Sequence, residues 1–147
     1  MTMNRRQYLG GMLALFGAAL LPGRLLASSG AFKATSTKDV LDELFPGMAV
    51  EESDAVNLRT PDIAENGAVV PVTVSTDLAD AQSISLIVDA NPNPLSASFE
   101  LTPDAVAEVS FRVKMGKSST VRALVKTSDR VYMASREVKV TIGGCGG

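Results

Sequence analysis

Glu65-Asn66-Gly67-Ala68-Val69-Val70-Pro71-Val72-Thr73-Val74-Ser75 opens on a turn signal and then alternates apolar and polar residues with period two. That spacing dictates a strand with Val70, Val72 and Val74 on one buried face. Pro71 has no N–H to give to a ladder, so it is expected at an edge or a bulge. Working outward, the pattern recurs at turn-to-turn intervals of roughly 8 to 12 residues. Strands are expected at 55–59, 68–75, 82–89, 95–101, 106–115, 120–128 and 131–142. Asn91-Pro92-Asn93-Pro94, Gly116-Lys117-Ser118-Ser119 and Asp129 supply turns between them.

The inward set continues through Ile84, Leu86, Val88; Ala97, Phe99, Leu101; Val109, Phe111, Val113, Met115; Val121, Ala123, Val125; and Val138, Val140, Ile142. Val69, Ile87 and Leu124 fall on the opposite parity and are expected to face outward, as scattered surface apolars or as a patch for a partner. Seven such strands match the count of an all-β, immunoglobulin-like β-sandwich. With one Cys and no Trp, the Cys…Trp…Cys set of antibody domains is absent, so the architecture alone is implied.

Ahead of the strands, Val40, Leu41, Leu44 and Phe45 form an amphipathic stripe that Pro46-Gly47 ends. Ser36 and Asp39 have capping-box spacing, with Asp in place of Glu or Gln. One short N-terminal helix is expected, as a lid over one end of the core. Further back, Asn4-Arg5-Arg6-Gln7-Tyr8-Leu9-Gly10 and the apolar run from Leu9 to Leu21 read as a twin-arginine export signal. The run is short of the roughly 20 residues a membrane span needs and contains Gly10, Gly11 and Gly17, which disfavours an uncleaved anchor. Cleavage is expected near Ala27. The expected division is 1–27 signal, 28–54 spacer and helix, 55–142 sandwich and 143–147 arm, with the mature protein in the periplasm and outside the membrane.

The chain has 147 residues, 46% hydrophobic and 20% charged, enough for one core. The absence of His excludes Ser-His-Asp triads, haem-attachment CxxCH motifs and His-based zinc or copper centres. No catalytic set and no metal-ligating set is found, and no cofactor is expected. Without the first 27 residues, 11 basic residues stand against 16 acidic ones, a net of −5. An acidic body without Trp offers neither phosphate neutralisation nor a stacking platform, so nucleic acid is not an expected partner.

The single Cys lies in Ile142-Gly143-Gly144-Cys145-Gly146-Gly147, just beyond the last expected strand. Gly143, Gly144, Gly146 and Gly147 leave no Cβ beside the sulfur, giving a slim, flexible arm that can enter a narrow cleft. No charged residue adjoins Cys145, so its thiol is expected near its ordinary pKa of about 8.5, unactivated by its own chain. Chemistry on it would come from other proteins' active sites, which makes the domain a carrier more than an enzyme. A structural protein dimerised through an intermolecular disulfide at Cys145, an incidental thiol on a glycine tail, and a ligand-binding module remain open on residues alone.

The terminal run Val138-Lys139-Val140-Thr141-Ile142-Gly143-Gly144-Cys145-Gly146-Gly147 resembles the SoxY sulfur-carrier family of the periplasmic thiosulfate-oxidising system. So do Thr60-Pro61-Asp62-Ile63-Ala64-Glu65-Asn66-Gly67-Ala68-Val69-Val70-Pro71-Val72, Asn91-Pro92-Asn93-Pro94-Leu95, Phe99-Glu100-Leu101 and the twin-arginine start. The resemblance implies an immunoglobulin-like subunit, without catalytic residues, paired in a heterodimer with a SoxZ-like subunit. Cys145 would be the covalent attachment point for sulfur. A c-type haem enzyme would conjugate thiosulfate to it, a metal-dependent hydrolase would release sulfate, and a sulfane dehydrogenase would oxidise the sulfur left behind. Arg5 and Arg6 would export the folded chain, together with a partner that lacks its own signal.

Overall fold

A computed structural model describes residues 28–141. Nine strands form two sheets: β1 (Val50–Glu52), β2 (Val56–Arg59), β3 (Ile63–Ala64), β4 (Val70–Thr76), β5 (Ser83–Val88), β6 (Leu95–Glu100), β7 (Glu108–Val113), β8 (Ser119–Lys126) and β9 (Val131–Val140). The larger sheet runs β1-β9-β8-β5-β6, with β3 also on β9; the smaller runs β2-β4-β7. The architecture is the expected immunoglobulin-like sandwich. All seven expected strands are present, and β1 and β3 are additional. Both are too short for periodicity to reveal, and both pair parallel with β9, at Val50–Glu52 against Val131–Met133 and at Ile63–Ala64 against Lys139–Val140. Between them the chain crosses to the other sheet as β2, so one segment grips β9 near both its ends.

The core between the sheets is the alternating set: Val70, Val72, Val74, Ile84, Leu86, Val88, Val113, Met115, Val121, Ala123, Val125 and Val138 are buried. Ala97, Phe99, Leu101, Val109, Phe111 and Val140 have the right parity but are only partly buried. Most lie on β6 and β7, the sheet-edge strands, where Phe99 and Phe111 meet with ring centroids 5.2 Å apart. Ile142 lies outside the described residues. Pro71 sits in the middle strand of the small sheet, not at an edge. Pairing with β2 stops at Arg59↔Thr73, so that flank of β4 is open where Pro71 would otherwise have donated.

Two expectations are corrected together. Ile87 and Leu124 are fully buried, and the helix is not at the end of the sandwich. A four-residue turn of helix α1 (Ser28–Ala31) and α2 (Thr37–Leu44) cover the outer face of the large sheet. There Ala31, Val40 and Phe45 pack with Ile87, Leu95, Leu124 and Val131 as a second core. The expected stripe on α2 is the face that turns to it, because only an apolar patch in the middle of a sheet can bury such a stripe. Val69, by contrast, is exposed as expected.

Ser36 caps α2 as read: its Oγ accepts the Asp39 N–H at 3.1 Å and donates to Asp39 Oδ2 at 2.7 Å. Gly47, at φ 72°, turns the chain away after Phe45. Polar groups then fasten the layer. The Arg122 Nε donates to both Asp89 carboxylate oxygens, at 3.0 and 2.9 Å. Thr37, the first residue of α2, donates its hydroxyl to Asp89 Oδ1 at 2.9 Å. The hydrogen bonds to Asp89 push Arg122 above its ordinary pKa.

Candidate functional site

The expected site residues Cys145, Gly143, Gly144, Gly146 and Gly147, and the export residues Arg5 and Arg6, lie outside the described residues. The structure does show what the Cys-bearing segment is attached to. β9 alternates Val138 inward and Lys139 outward, and it stays paired up to the last described residue. On one side the Lys139 N–H donates to the Asp62 carbonyl at 2.9 Å, and the Thr141 N–H to the Ala64 carbonyl at 3.0 Å. On the other side β8 stops pairing at Ser119↔Val138, and the Val140 N–H donates instead to Ser118 Oγ at 2.9 Å. Three successive N–H groups past the sheet's regular ladder are therefore satisfied.

Two of the stretches that carried the family resemblance, residues 60–72 and 91–95, bear on this root. Pro61 to Gly67 lies alongside the end of β9, with Asn66 Oδ1 accepting the Ala68 N–H at 2.9 Å. At Gly67 a Cβ would stand 2.4 Å from the Met115 carbonyl oxygen and 2.8 Å from Val140 Cγ1, so no other residue fits without moving the backbone. Asn91 brackets the β7–β8 turn, donating from Nδ2 to the Lys114 carbonyl at 2.8 Å and accepting the Gly116 N–H at 3.4 Å. In the same loop Asn93 reaches the other way, to the Ala34 carbonyl at 3.2 Å.

Beside the root an open groove of about 440 Å³ is lined by residues including Pro61, Ile63, Val69 and Pro71. Ile63 is 57% and Val69 49% exposed, giving this edge an apolar surface. Across the strand end, Arg136 pairs loosely with Asp62 at 3.7 Å. Sequence reading found the turn at Gly116–Ser119 but not the role of Ser118, because a serine in a turn gives no signal of which backbone group it will satisfy. The Asp62 and Ala64 carbonyls were invisible for the same reason that β3 was. Among the described residues there is no cluster of three His, Cys, Asp or Glu side chains placed to hold a metal, and no helix long and apolar enough to cross a membrane.

This is a β-sandwich whose last strand, held to its end, leads directly into a glycine-flanked thiol. The chain belongs to the SoxY family, described as sulfur oxidation protein SoxY, whose model matches residues 41–145 and so extends to Cys145. The structure of the sulfur carrier protein SoxY from Chlorobium limicola f thiosulfatophilum is 42% identical, with a TM-score of 0.66, over 71% of this chain and 96% of that one. Family and fold together make the protein a sulfur carrier. A β-glucuronidase of Bacteroides uniformis (11% identity, TM-score 0.39, 63% of this chain and 9% of that one) bears no argument. Nor does a chain of the complex between zinc 2-glycoprotein and prolactin inducible protein from human seminal plasma (11%, 0.39, 60% of this chain and 95% of that one). No curated protein matches the chain.

Proposed function

We propose that the protein carries the sulfur intermediates of thiosulfate oxidation on Cys145 and presents them in turn to partner enzymes, itself catalysing nothing. The observation that carries this reading is a family match that runs through the sandwich and reaches the only cysteine in the chain. Loading joins the Cys145 thiolate to the outer sulfur of thiosulfate as Cys–S–S–SO₃⁻, and the two electrons released go to a c-type haem enzyme. Water then attacks the terminal sulfone in a metal-dependent hydrolase, leaving sulfate, two protons and a Cys–S–S⁻ persulfide. A sulfane dehydrogenase then oxidises that outer sulfur with three waters to Cys–S–SO₃⁻, releasing six protons and passing six electrons to a cytochrome acceptor, and the hydrolase adds water once more to free a second sulfate, two protons and the Cys145 thiolate. Gly143, Gly144, Gly146 and Gly147 keep the segment narrow enough to enter all three clefts.

In the same reading 1–27 is a twin-arginine signal read through Arg5 and Arg6, and the mature chain acts in the periplasm. There it pairs with a SoxZ-like subunit that is exported with it. The domain division is 28–54 for the helical segment, 55–142 for the sandwich and 143–147 for the arm. Family membership favours this over a structural protein stapled through Cys145.

Intact mass spectrometry of the mature protein from thiosulfate-grown cells, without reductant and with fragmentation, tests the reading. A thiosulfonate or sulfane adduct on Cys145 is expected; unmodified thiol or disulfide dimer alone would overturn it. In a reconstituted system Cys145→Ser is expected to abolish sulfate formation while leaving the melting temperature unchanged.

A further inference from the structure

Ser118 is exposed and its side chain contributes nothing to either core. Its hydroxyl nevertheless does something specific. β8 and β9 part at Ser119↔Val138, because the turn that begins at Gly116 leads β8's chain away. Alternation sends the Val140 N–H to that side, where no backbone carbonyl remains to receive it. Ser118 Oγ takes it at 2.9 Å. The turn that carries Ser118 is itself fixed, by Asn91 at Lys114 and Gly116 and by the Ala90 N–H, which donates to Ser119 Oγ at 2.9 Å.

We propose that Ser118 is a positioning residue for the sulfur-bearing segment: with the Asp62 and Ala64 carbonyls it holds β9 through Thr141 and so sets the point from which Cys145 is presented. The consequence for partner enzymes rests on the carrier reading of Cys145; the clamp itself does not. Held at Thr141, Cys145 is four residues from its anchor, a reach of at most about 14 Å. Released back to Val138 it would be seven residues away, about 24 Å. For a tethered reactant the effective concentration falls as about the −3/2 power of tether length, so full release dilutes the thiol about twofold.

Ser118→Ala removes the acceptor, and Ser118→Thr keeps it. In the mature full-length protein, hydrogen exchange at the Val140 amide is expected to quicken about fivefold in S118A, the net effect of one such bond. Exchange at Ala123, in the middle of β8, is expected to stay unchanged. A nitroxide attached to the single thiol, Cys145, should give a narrower spectrum in S118A, and S118T should restore both readings. With the haem enzyme that conjugates thiosulfate, KM for the carrier should rise in S118A at constant kcat, by no more than the about twofold of full release, since the Asp62 and Ala64 bonds remain. Unchanged Val140 exchange, an unchanged nitroxide spectrum, or a KM that does not move would each overturn the proposal. If exchange and spectrum respond while wild-type protein takes up no sulfur on Cys145, the carrier reading fails and the clamp stands.

Discussion

The two faces of the large sheet are buried by different means. The inner face meets another sheet with aliphatic side chains almost alone, from Ile84, Leu86 and Val88 on β5 to Val121, Ala123 and Val125 on β8. The outer face presents a small apolar island, Ile87, Leu95, Leu124 and Val131, set among polar groups. Ser85 and Ser98 share a hydrogen bond at 2.9 Å there, and Arg122, Asp89 and Thr37 form the fastening at the start of α2. The inner core thus coheres through area, while the outer one combines a modest area with directed bonds. A sheet covered in this way gains a third layer, expected to open without opening the sandwich.

Paired Leu→Ala changes separate the two cores most strongly. Leu86→Ala is expected to cost about 3–5 kcal/mol, because two sheets cannot collapse into the void. Leu124→Ala is expected to cost less, about 2–3 kcal/mol, because a helix of two turns can settle toward the gap. The pattern matters as much as the size. Amide exchange should quicken throughout the sandwich in L86A, but chiefly over Thr37–Leu44 in L124A. If L124A loosens the sandwich as uniformly as L86A, the outer layer is part of one cooperative unit and the division fails.

Asp89→Asn tests the fastening alone. The Asp89 and Arg122 side chains are 27% and 30% exposed, so solvent weakens the pair without dissolving it. Loss of the charge should cost about 1–2 kcal/mol, again with faster exchange confined to α2. The difference in melting temperature between wild type and D89N should shrink as salt is raised. A substitution without effect on α2 would mean that the apolar island holds the helix unaided.

The same contrast explains what could be read beforehand. Alternation finds a strand and one of its faces, and it placed Val70 to Val74, Ile84 to Val88 and Val121 to Val125 correctly. It assigns the other face to solvent by default, which is why Ile87 and Leu124 were misplaced: a strand buried on both sides reads as a nearly continuous apolar run. The stripe on α2 carried the missing information, since it required an apolar surface somewhere and these residues were the ones left over. At the functional end, the GGCGG segment stood out because a lone thiol between glycines invites a carrier reading, and the family match reaches it although it lies outside the described residues. Its root was not, because the groups that hold it are backbone carbonyls and one turn serine, set in place by the pairing of two-residue β3 with β9.

The smallest effect is expected at the far end of β9, in the turn where neither core reaches. There Arg130 donates from Nε to Asp129 at 3.0 Å and pairs with Glu51 of β1 at 3.2 Å, while Thr127 Oγ1 donates to Asp129 at 3.0 Å. The Arg130 bond, and after it the Thr127 bond, hold the Asp129 carboxyl below its ordinary pKa. A carboxylate whose pKa is depressed on folding contributes stability that is complete above its unfolded pKa, about 3.9, and is lost as the pH falls through the lower folded value. Asp129→Asn should therefore lower the melting temperature slightly at pH 7, and the difference from wild type should vanish in strong acid. The group is exposed, so high salt should shrink the difference at pH 7 as well. A difference that persists at pH 2 would belong to the shape of the turn and not to its charge.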